Sequence, residues 1–228
     1  MTEPGADKRK PHKSYYNWSL RAPLARWLEL EGENVAGLRI LDVGAGDKPY
    51  APYFARAGEY VGVDPVNPHA DVRATAEDLP FDDQSFDVVL CIQVLEHVDD
   101  PPRVVRELHR VVKPGGRVLA ATHGTYPYHP DPADHWRWTH TGLGRLFEAS
   151  GDWQSVRVEP GAGTASAFGL LLAFYVDQVA QRAHAVWAGR LLNYAVNALT
   201  EAVERRSQTL REPVPGSLTT NFHIVAVR

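Results

Sequence analysis

The chain has 228 residues, a formal net charge of −4 and a single cysteine, Cys91. That length lets one domain bury a substantial core. The acidic balance leaves no broad electrostatic footprint for nucleic acid, and a lone cysteine excludes an internal disulfide and fits a reducing, cytoplasmic compartment. No apolar run reaches the roughly 18–20 residues that a membrane-spanning helix needs. The polar start, Met1 to Lys13 with Lys8-Arg-Lys10, has no apolar core for a secretory signal.

In chain order, Leu20–Leu30 reads as a helix, with Leu20, Leu24, Trp27 and Leu28 on one face. Strands are expected at Leu38–Val43, Tyr60–Val63, Val72–Arg73 and Asp87–Ile92, and Cys91 packs within the last of these. A helix over Val104–Val112 stops at Pro114-Gly115-Gly116. A strand at Arg117–Thr122, a helix at Thr141–Ala149 and a strand at Trp153–Val158 follow, and Phe222–Arg228 forms the last strand. Such alternation implies an α/β fold with a largely parallel sheet covered by helices on both faces. Between the last two strands stand about sixty residues, with an apolar Ala167–Val176 and a helical Val179–Arg206, broken by Pro213 and Pro215. This helical insertion packs across one end of the sheet as ordinary core helices. The other open readings are a substrate lid, a dimer surface, or a shallow membrane contact through Ala167–Val176.

The run Leu38–Val43 ends in an acid followed by Gly44 and Gly46, where the backbone can turn sharply and approach a ligand closely. The next strand ends in Asp64, whose carboxylate can accept hydrogen bonds from both hydroxyls of a ribose. A dinucleotide fingerprint would place a third glycine where Pro49 stands. Asp42 would repel a pyrophosphate and attract an ammonium group, so the pattern suits an amino-acid nucleoside better than NAD.

At these residues the chain resembles the class I S-adenosylmethionine-dependent methyltransferases of the type 11 kind. The segments that carry the resemblance are Leu41-Asp-Val-Gly-Ala-Gly46, Val61-Gly-Val-Asp64, Ala76-Glu-Asp-Leu-Pro-Phe81 with Ser85-Phe-Asp87, Val94-Leu-Glu-His97 and Val112-Lys-Pro-Gly-Gly116. The resemblance implies a Rossmann-like, doubly wound seven-stranded sheet of order 3-2-1-4-5-7-6 with strand seven antiparallel. It implies one methyltransferase domain: an N-terminal cap over 1–36, a cofactor-binding core over 37–159, the helical insertion over 160–216 and the last strand over 217–228. The implied cofactor is S-adenosyl-L-methionine, held by Asp42 at the methionine amino group, the loop Gly44, Ala45 and Gly46, Asp64 and Pro65 at the ribose, Ala76 and Glu77 at the adenine, and Gln93 beside the sulfonium. The family's acid before Ala76 is Thr75 here, so Glu77 or Asp78 would take the adenine amine, and Lys48 stands where a third glycine is common. Glu96-His97 recurs in the family whatever the acceptor, which implies a structural or cofactor-side role. His97 either touches the site or bonds to the backbone.

The acceptor side is expected in the loop His123–Thr139, which is rich in His, Trp, Tyr and Asp. Transfer to a hydroxyl gains from a base, and His123 and His135 are the candidates. Asp134-His-Trp-Arg-Trp-Thr139 is similar to a stretch in methyltransferases of sugar and cell-surface polysaccharide pathways. In one reading Trp136 stacks on a sugar ring and Arg137 holds a carboxylate or phosphate. In the other the segment is a packed lid, with Arg137 on loop carbonyls and Thr139 capping the next helix. By the same resemblance, Tyr15 or Tyr16 lines the acceptor pocket, or the cluster Tyr15–Trp18 tethers the N-terminus. His123, His129, His135 and His140 with Asp131 and Asp134 would be chemically suitable metal ligands, but their spacing matches no helix face and no metal is expected.

The leading expectation is a methyltransferase acting on a small-molecule or sugar acceptor at oxygen, with no nucleic-acid partner and no transmembrane segment. Peripheral membrane contact and a homo-oligomer stay open. The alternatives are an inactive S-adenosylmethionine-binding partner subunit and an N- or C-methyltransferase of a natural-product pathway.

Overall fold

The computed structural model describes residues 10–130 and 132–228, so Lys8, Arg9 and Asp131 lie outside the described residues. Six strands form one sheet: β1 (Arg39–Val43), β2 (Glu59–Val63), β3 (Phe86–Ile92), β4 (Val112–His123), β5 (Ser155–Pro160) and β6 (Asn221–Val227), in the order β2-β1-β3-β4-β6-β5. β1, β2, β3 and β4 pair in parallel, while β6 runs antiparallel to both β4 and β5. Of the seven expected strands, the third, at Val72–Arg73, is reduced to a single bridge between Val63 and Val72. Two residues are too few to continue a ladder: the amides of Asp71 and Val72 both turn onto the Gly62 carbonyl instead. The remaining order matches expectation with that strand removed.

Alternation along the strands builds two cores. Leu41, Val43, Val89, Cys91, Val118 and Ala120 face α2 (Pro101–Val111) and α3 (His140–Glu148), meeting Val104, Leu108, Leu143 and Phe147. Ile40, Val88, Leu90, Leu119 and Ala121 face the opposite way, onto Leu24, Trp27 and Leu28 of α1 (Trp18–Glu31) and onto Phe54 of the short 3-10 turn Ala51–Phe54. The central strands, buried on both faces, read as continuous apolar runs for this reason. α2 starts where Asp100 accepts from the Arg103 amide at 3.0 Å and Pro101 takes the first turn. It ends at Val111, and β4 begins at once. The sequence reading stopped the helix one residue later and began the strand at Arg117, because Pro114-Gly115-Gly116 suggested a turn. That stretch is instead the start of the long strand β4, with Gly115 at φ +77°.

Between β5 and β6 stand two helices, α4 (Thr164–Arg182) and α5 (Val186–Arg206). They form a hairpin whose break falls at Ala183–Ala185, inside the helical stretch expected over Val179–Arg206. The hairpin leans on α1: Ser19 Oγ donates to the Ser166 carbonyl, and Tyr16 meets Phe174 edge-on at 5.4 Å. No helix among the described residues is long and apolar enough to cross a membrane.

Candidate functional site

β1 delivers its last residue to a loop with left-handed backbone. Gly44 has φ +71° and Gly46 φ +50°. A Cβ on Gly44 would stand 2.4 Å from Val94 Cγ2, whereas one on Gly46 would meet nothing within 4 Å. Gly44 thus exists for close packing, and Gly46 faces open space, as a cradle for a ligand requires. The Gly44 and Ala45 amides donate to the Val63 carbonyl, tying this loop to the end of β2. Asp64, one residue past β2, accepts at Oδ1 from the Val66 and Asn67 amides, at 3.0 and 2.8 Å, and at Oδ2 from Gly46 N, at 3.1 Å. A carboxylate has about four acceptor positions, so one on Oδ2 is open to a ligand hydroxyl. Pro65 carries the exposed chain away.

Lys48 does not reach into the cradle: its Nζ bonds Asp71 Oδ2 at 2.5 Å, and the same oxygen accepts from Gly62 N. The Ala76 side chain packs into the core on the α2 side, beside half-buried Glu77.

Asp42 lies on the face of β1 toward α1, fully enclosed, with Tyr60 Oη donating to its Oδ2 at 2.6 Å. Burial pushes its pKa up to about 7 against the opposing hydrogen bond from Tyr60 and the more distant charge of Lys48. Among the described residues no cation is bonded to this buried carboxyl.

Gln93, the residue after β3, has φ +58°, a left-handed conformation uncommon for a side chain of its kind. Its backbone N–H bonds the Ala121 carbonyl at 2.7 Å, and the two polar atoms of its half-buried side chain are buried without a partner. Gln93 thus combines a strained backbone with unmet hydrogen-bonding capacity at the carboxyl end of the sheet.

Gln93 shares a cavity of about 230 Å³ with Tyr16, Arg21, Tyr50, Tyr126 and His123. His123, at the end of β4, is buried and stacks on Tyr126 at 4.1 Å and 5°. Its Nε2 lies 3.3 Å from Glu96 Oε1, and its Nδ1 has no partner. Glu96 is fully buried, and its other oxygen accepts from Thr122 Oγ1 at 2.8 Å. Burial raises the Glu96 pKa to about 7. Burial, aided by the charge of Arg137, holds His123 well below the ordinary histidine value. Both shifts favour the uncharged forms: around neutral pH the imidazole is uncharged and a carboxyl near its own midpoint borders Nε2; where that carboxyl is ionised it faces an Nε2–H, and Nδ1 then keeps its lone pair.

The loop after β4 is a packed lid. Arg137 uses all five of its N–H groups internally, on both Asp134 oxygens at 2.5 and 2.6 Å and on the carbonyls of Tyr126, Pro127 and Trp136. Burial alone would raise Asp134, but Arg137 and the His129 amide bring it down to about 2. Thr139 Oγ1 accepts from Gly142 N and caps α3.

Several expected site residues lie away from this cavity or are engaged elsewhere in the fold. Arg137 has no donor left for a substrate. Trp136 Nε1 donates to the Val98 carbonyl, and its ring stacks on Trp138 outside the cavity. His135 is turned to Asp99, 3.6 Å away, and does not line the cavity. Tyr15 accepts from Asn197 through its carbonyl and lies under Arg190, while its neighbour Tyr16 lines the cavity. His97 Nδ1 bonds the Ala133 carbonyl at 2.8 Å, the backbone alternative. His140 bonds the Val158 carbonyl, and no group of residues suited to a metal exists among the described residues.

The sequence reading missed Arg21, Tyr50, Tyr53 and Tyr126. Tyr126 stood in the flagged loop, and Arg21 falls four residues after Asn17, on one helical face with it. Tyr50 and Tyr53 gave no signal, because the 3-10 turn that presents them is too short to show a period.

Residues 41–120 match the family model described as a methyltransferase domain. An uncharacterized methyltransferase of Mycobacterium marinum is 41% identical over 104 residues, covering 40% of this chain and 41% of that protein. A ubiquinone biosynthesis O-methyltransferase of Pseudomonas syringae pv. tomato is 38% identical over 113 residues, 42% of this chain and 48% of that one. The chain thus spans less than half the length of these curated relatives. Among solved structures, phosphoethanolamine N-methyltransferase 2 of Haemonchus contortus, in complex with S-adenosyl-L-methionine, superposes with a TM-score of 0.57 at 17% identity, over 93% of this chain and 56% of that one. The [4+2]-cyclase SpnF superposes with a TM-score of 0.56 at 19% identity, over 92% of this chain and 82% of that one. At such identities the likeness establishes the fold alone, and one of the two is named for a different reaction.

Proposed function

We propose that this chain, a member of the class I S-adenosylmethionine-dependent methyltransferases, transfers a methyl group to a hydroxyl oxygen of a small-molecule or glycoside acceptor. The observation that carries the oxygen assignment is His123: buried in the cavity wall beside Gln93, bordered by Glu96 at one ring nitrogen and unpartnered at the other.

The cradle residues suit the cofactor. Gly46 leaves room for the backbone approach, Asp64 has an acceptor position for a ribose hydroxyl, and the enclosed Asp42 gains a cation when an ammonium arrives. Gln93 can place its free amide on the amino-acid part of the ligand. When bound, S-adenosylmethionine supplies a methyl group already activated by its positive sulfur. The chain's own residues then have three tasks. The aromatic wall of Tyr16, Tyr50 and Tyr126 holds the acceptor ring, so that its oxygen lies in line with the methyl carbon. His123 Nδ1 would take the hydroxyl proton as the oxygen–carbon bond forms and the carbon–sulfur bond breaks, its electron pair leaving with a now neutral sulfur, and Glu96 would orient the ring through Nε2 and offset the charge it gains. Arg21, at the same cavity, gives an acidic substituent on the acceptor a counter-charge.

The test is thermal unfolding with S-adenosylhomocysteine, wild type against Asp64→Ala. At about 100 times its dissociation constant the ligand should stabilise the native state by about 2.7 kcal/mol. The variant should unfold earlier when free, since Asp64 ties down three amides, so the ligand-induced shift is what counts. A wild-type shift that disappears in the variant supports the assignment; none at millimolar ligand sinks it.

A further inference from the structure

The α4–α5 hairpin is built inside out. The buried face of α5 is Gly189, Asn193, Asn197 and Glu204, and that of α4 is mostly small: Ser166, Ala167, Gly169 and Ala173 among others. The large apolar residues point the other way. Eleven of the sixteen exposed large hydrophobic side chains among the described residues lie on these two helices. On α4, Phe168, Leu172, Tyr175 and Val179 recur at helical spacing on one exposed face. On α5, Trp187 is 76% exposed, Leu191 65% and Leu199 66%. The helices approach closely through small residues: a Cβ on Gly189 would stand 2.5 Å from Ala180 Cβ, and one on Gly169 2.8 Å from Thr200 Cγ2. Small residues between helices with large apolar residues outward is the arrangement used against lipid, where hydrocarbon does not penalise the outer face. In water so many large apolar side chains exposed on two neighbouring helices call for a partner.

Charge selects the partner. From Thr164 to Thr200 the chain has one carboxylate, Asp177, which is buried and bonded to Gln181, whereas Arg182 and Arg190 are exposed. A twofold contact with a second copy would bring like charges together with no acid on this stretch to pair them. An anionic surface pairs them all. Tyr175, Trp187 and Tyr194 add the amphipathic rings favoured where hydrocarbon meets headgroups.

We propose that the outer face of the α4–α5 hairpin docks in the plane of an anionic lipid membrane, the helices lying in the interface without crossing it. Docking would hold the acceptor cavity at a fixed distance from the bilayer. Asn197 of α5 anchors the Lys13 and Tyr15 carbonyls, at 2.7 and 3.0 Å, and the next residue, Tyr16, is part of the cavity wall and packs on Phe174 of α4. The proposal stands independently of the methyl-transfer reading.

The experiment is co-sedimentation of the full chain with vesicles of phosphatidylcholine and phosphatidylglycerol at roughly 7:3, against phosphatidylcholine alone. Binding to the anionic vesicles is expected, about fivefold weaker for Arg182→Gln. It should fall on the order of a hundredfold when Leu172→Glu and Leu191→Glu are combined. Both leucines are more than half exposed, so this double variant should keep the wild-type unfolding temperature and oligomeric state. Failure to sediment with anionic vesicles overturns the proposal, as does undiminished binding of the double variant. A wild-type dimer that the double variant splits, with no vesicle binding, would assign the face to a second copy instead.

Discussion

Glu96 and His123 form the pair on which the proposed chemistry turns, and their environment makes pH a probe of it. Glu96, held at about 7 by burial, becomes a carboxylate as pH rises through that value, and only the carboxylate offsets an imidazolium beside it. The rate on a responsive acceptor should therefore climb through about pH 7. Replacing His123 with Gln should lower kcat roughly 10²–10⁴-fold, the range for losing a general base. Glu96→Gln should lower kcat, leave KM nearly unchanged and remove the limb near pH 7; a limb that persists would show that Glu96 does not position the base. A readout independent of activity exists as well. A carboxyl raised in the folded state binds its proton more tightly there than in the unfolded chain, so its contribution is fully present below about 4.5 and is lost as pH rises through about 7. Glu96→Gln should flatten the decline of unfolding temperature across that window.

Among the elements, the β1 loop is the most sharply specified. Gly44 combines φ +71° with a Val94 methyl 2.4 Å from where a Cβ would stand, so Gly44→Ala meets both a backbone and a steric obstacle. We expect a loss of about 1–3 kcal/mol in chemical denaturation, together with loss of the S-adenosylhomocysteine-induced shift. Gly46, with open space around the missing Cβ, should cost less stability and as much ligand binding. The pattern Asp42-x-Gly44-x-Gly46 was legible in the sequence because each residue answers a local backbone need. The lid after β4 was half legible. Its composition marked it out, but only the fold reveals that Arg137 is spent on Asp134 and three carbonyls. Side chains that bond within a loop and side chains that reach a ligand have the same composition.

For the molecule as a whole, burial concentrates in the central strands, where every residue of Val88–Cys91 and Val118–Ala121 is fully buried. Backbone amides there should exchange with solvent only on global unfolding. The α4–α5 hairpin, with its large side chains outward, should open at lower free energy in solution and gain protection on anionic vesicles. Hydrogen exchange measured by mass spectrometry, with and without vesicles, would show both. Equal protection of hairpin and central strands in solution would contradict this account of the hairpin. The sheet order also belongs to this scale. Alternating periods predicted its parallel portion, while the shrinkage of the expected third strand to the Val63–Val72 bridge depends on where the Asp71 and Val72 amides find their acceptor.

By itself the sequence determined the α/β class, the glycine-rich turn after the first strand and the acid after the second, and through these it pointed to the kind of cofactor proposed, since each is written in local periodicity or in a backbone conformation that few residues adopt. Tertiary structure alone decided which histidine and which tyrosine face the cavity, that Glu96 borders His123, and that the two late helices turn their apolar sides outward. These depend on the direction of side chains brought together from distant parts of the chain, and direction in space leaves no trace in spacing along it.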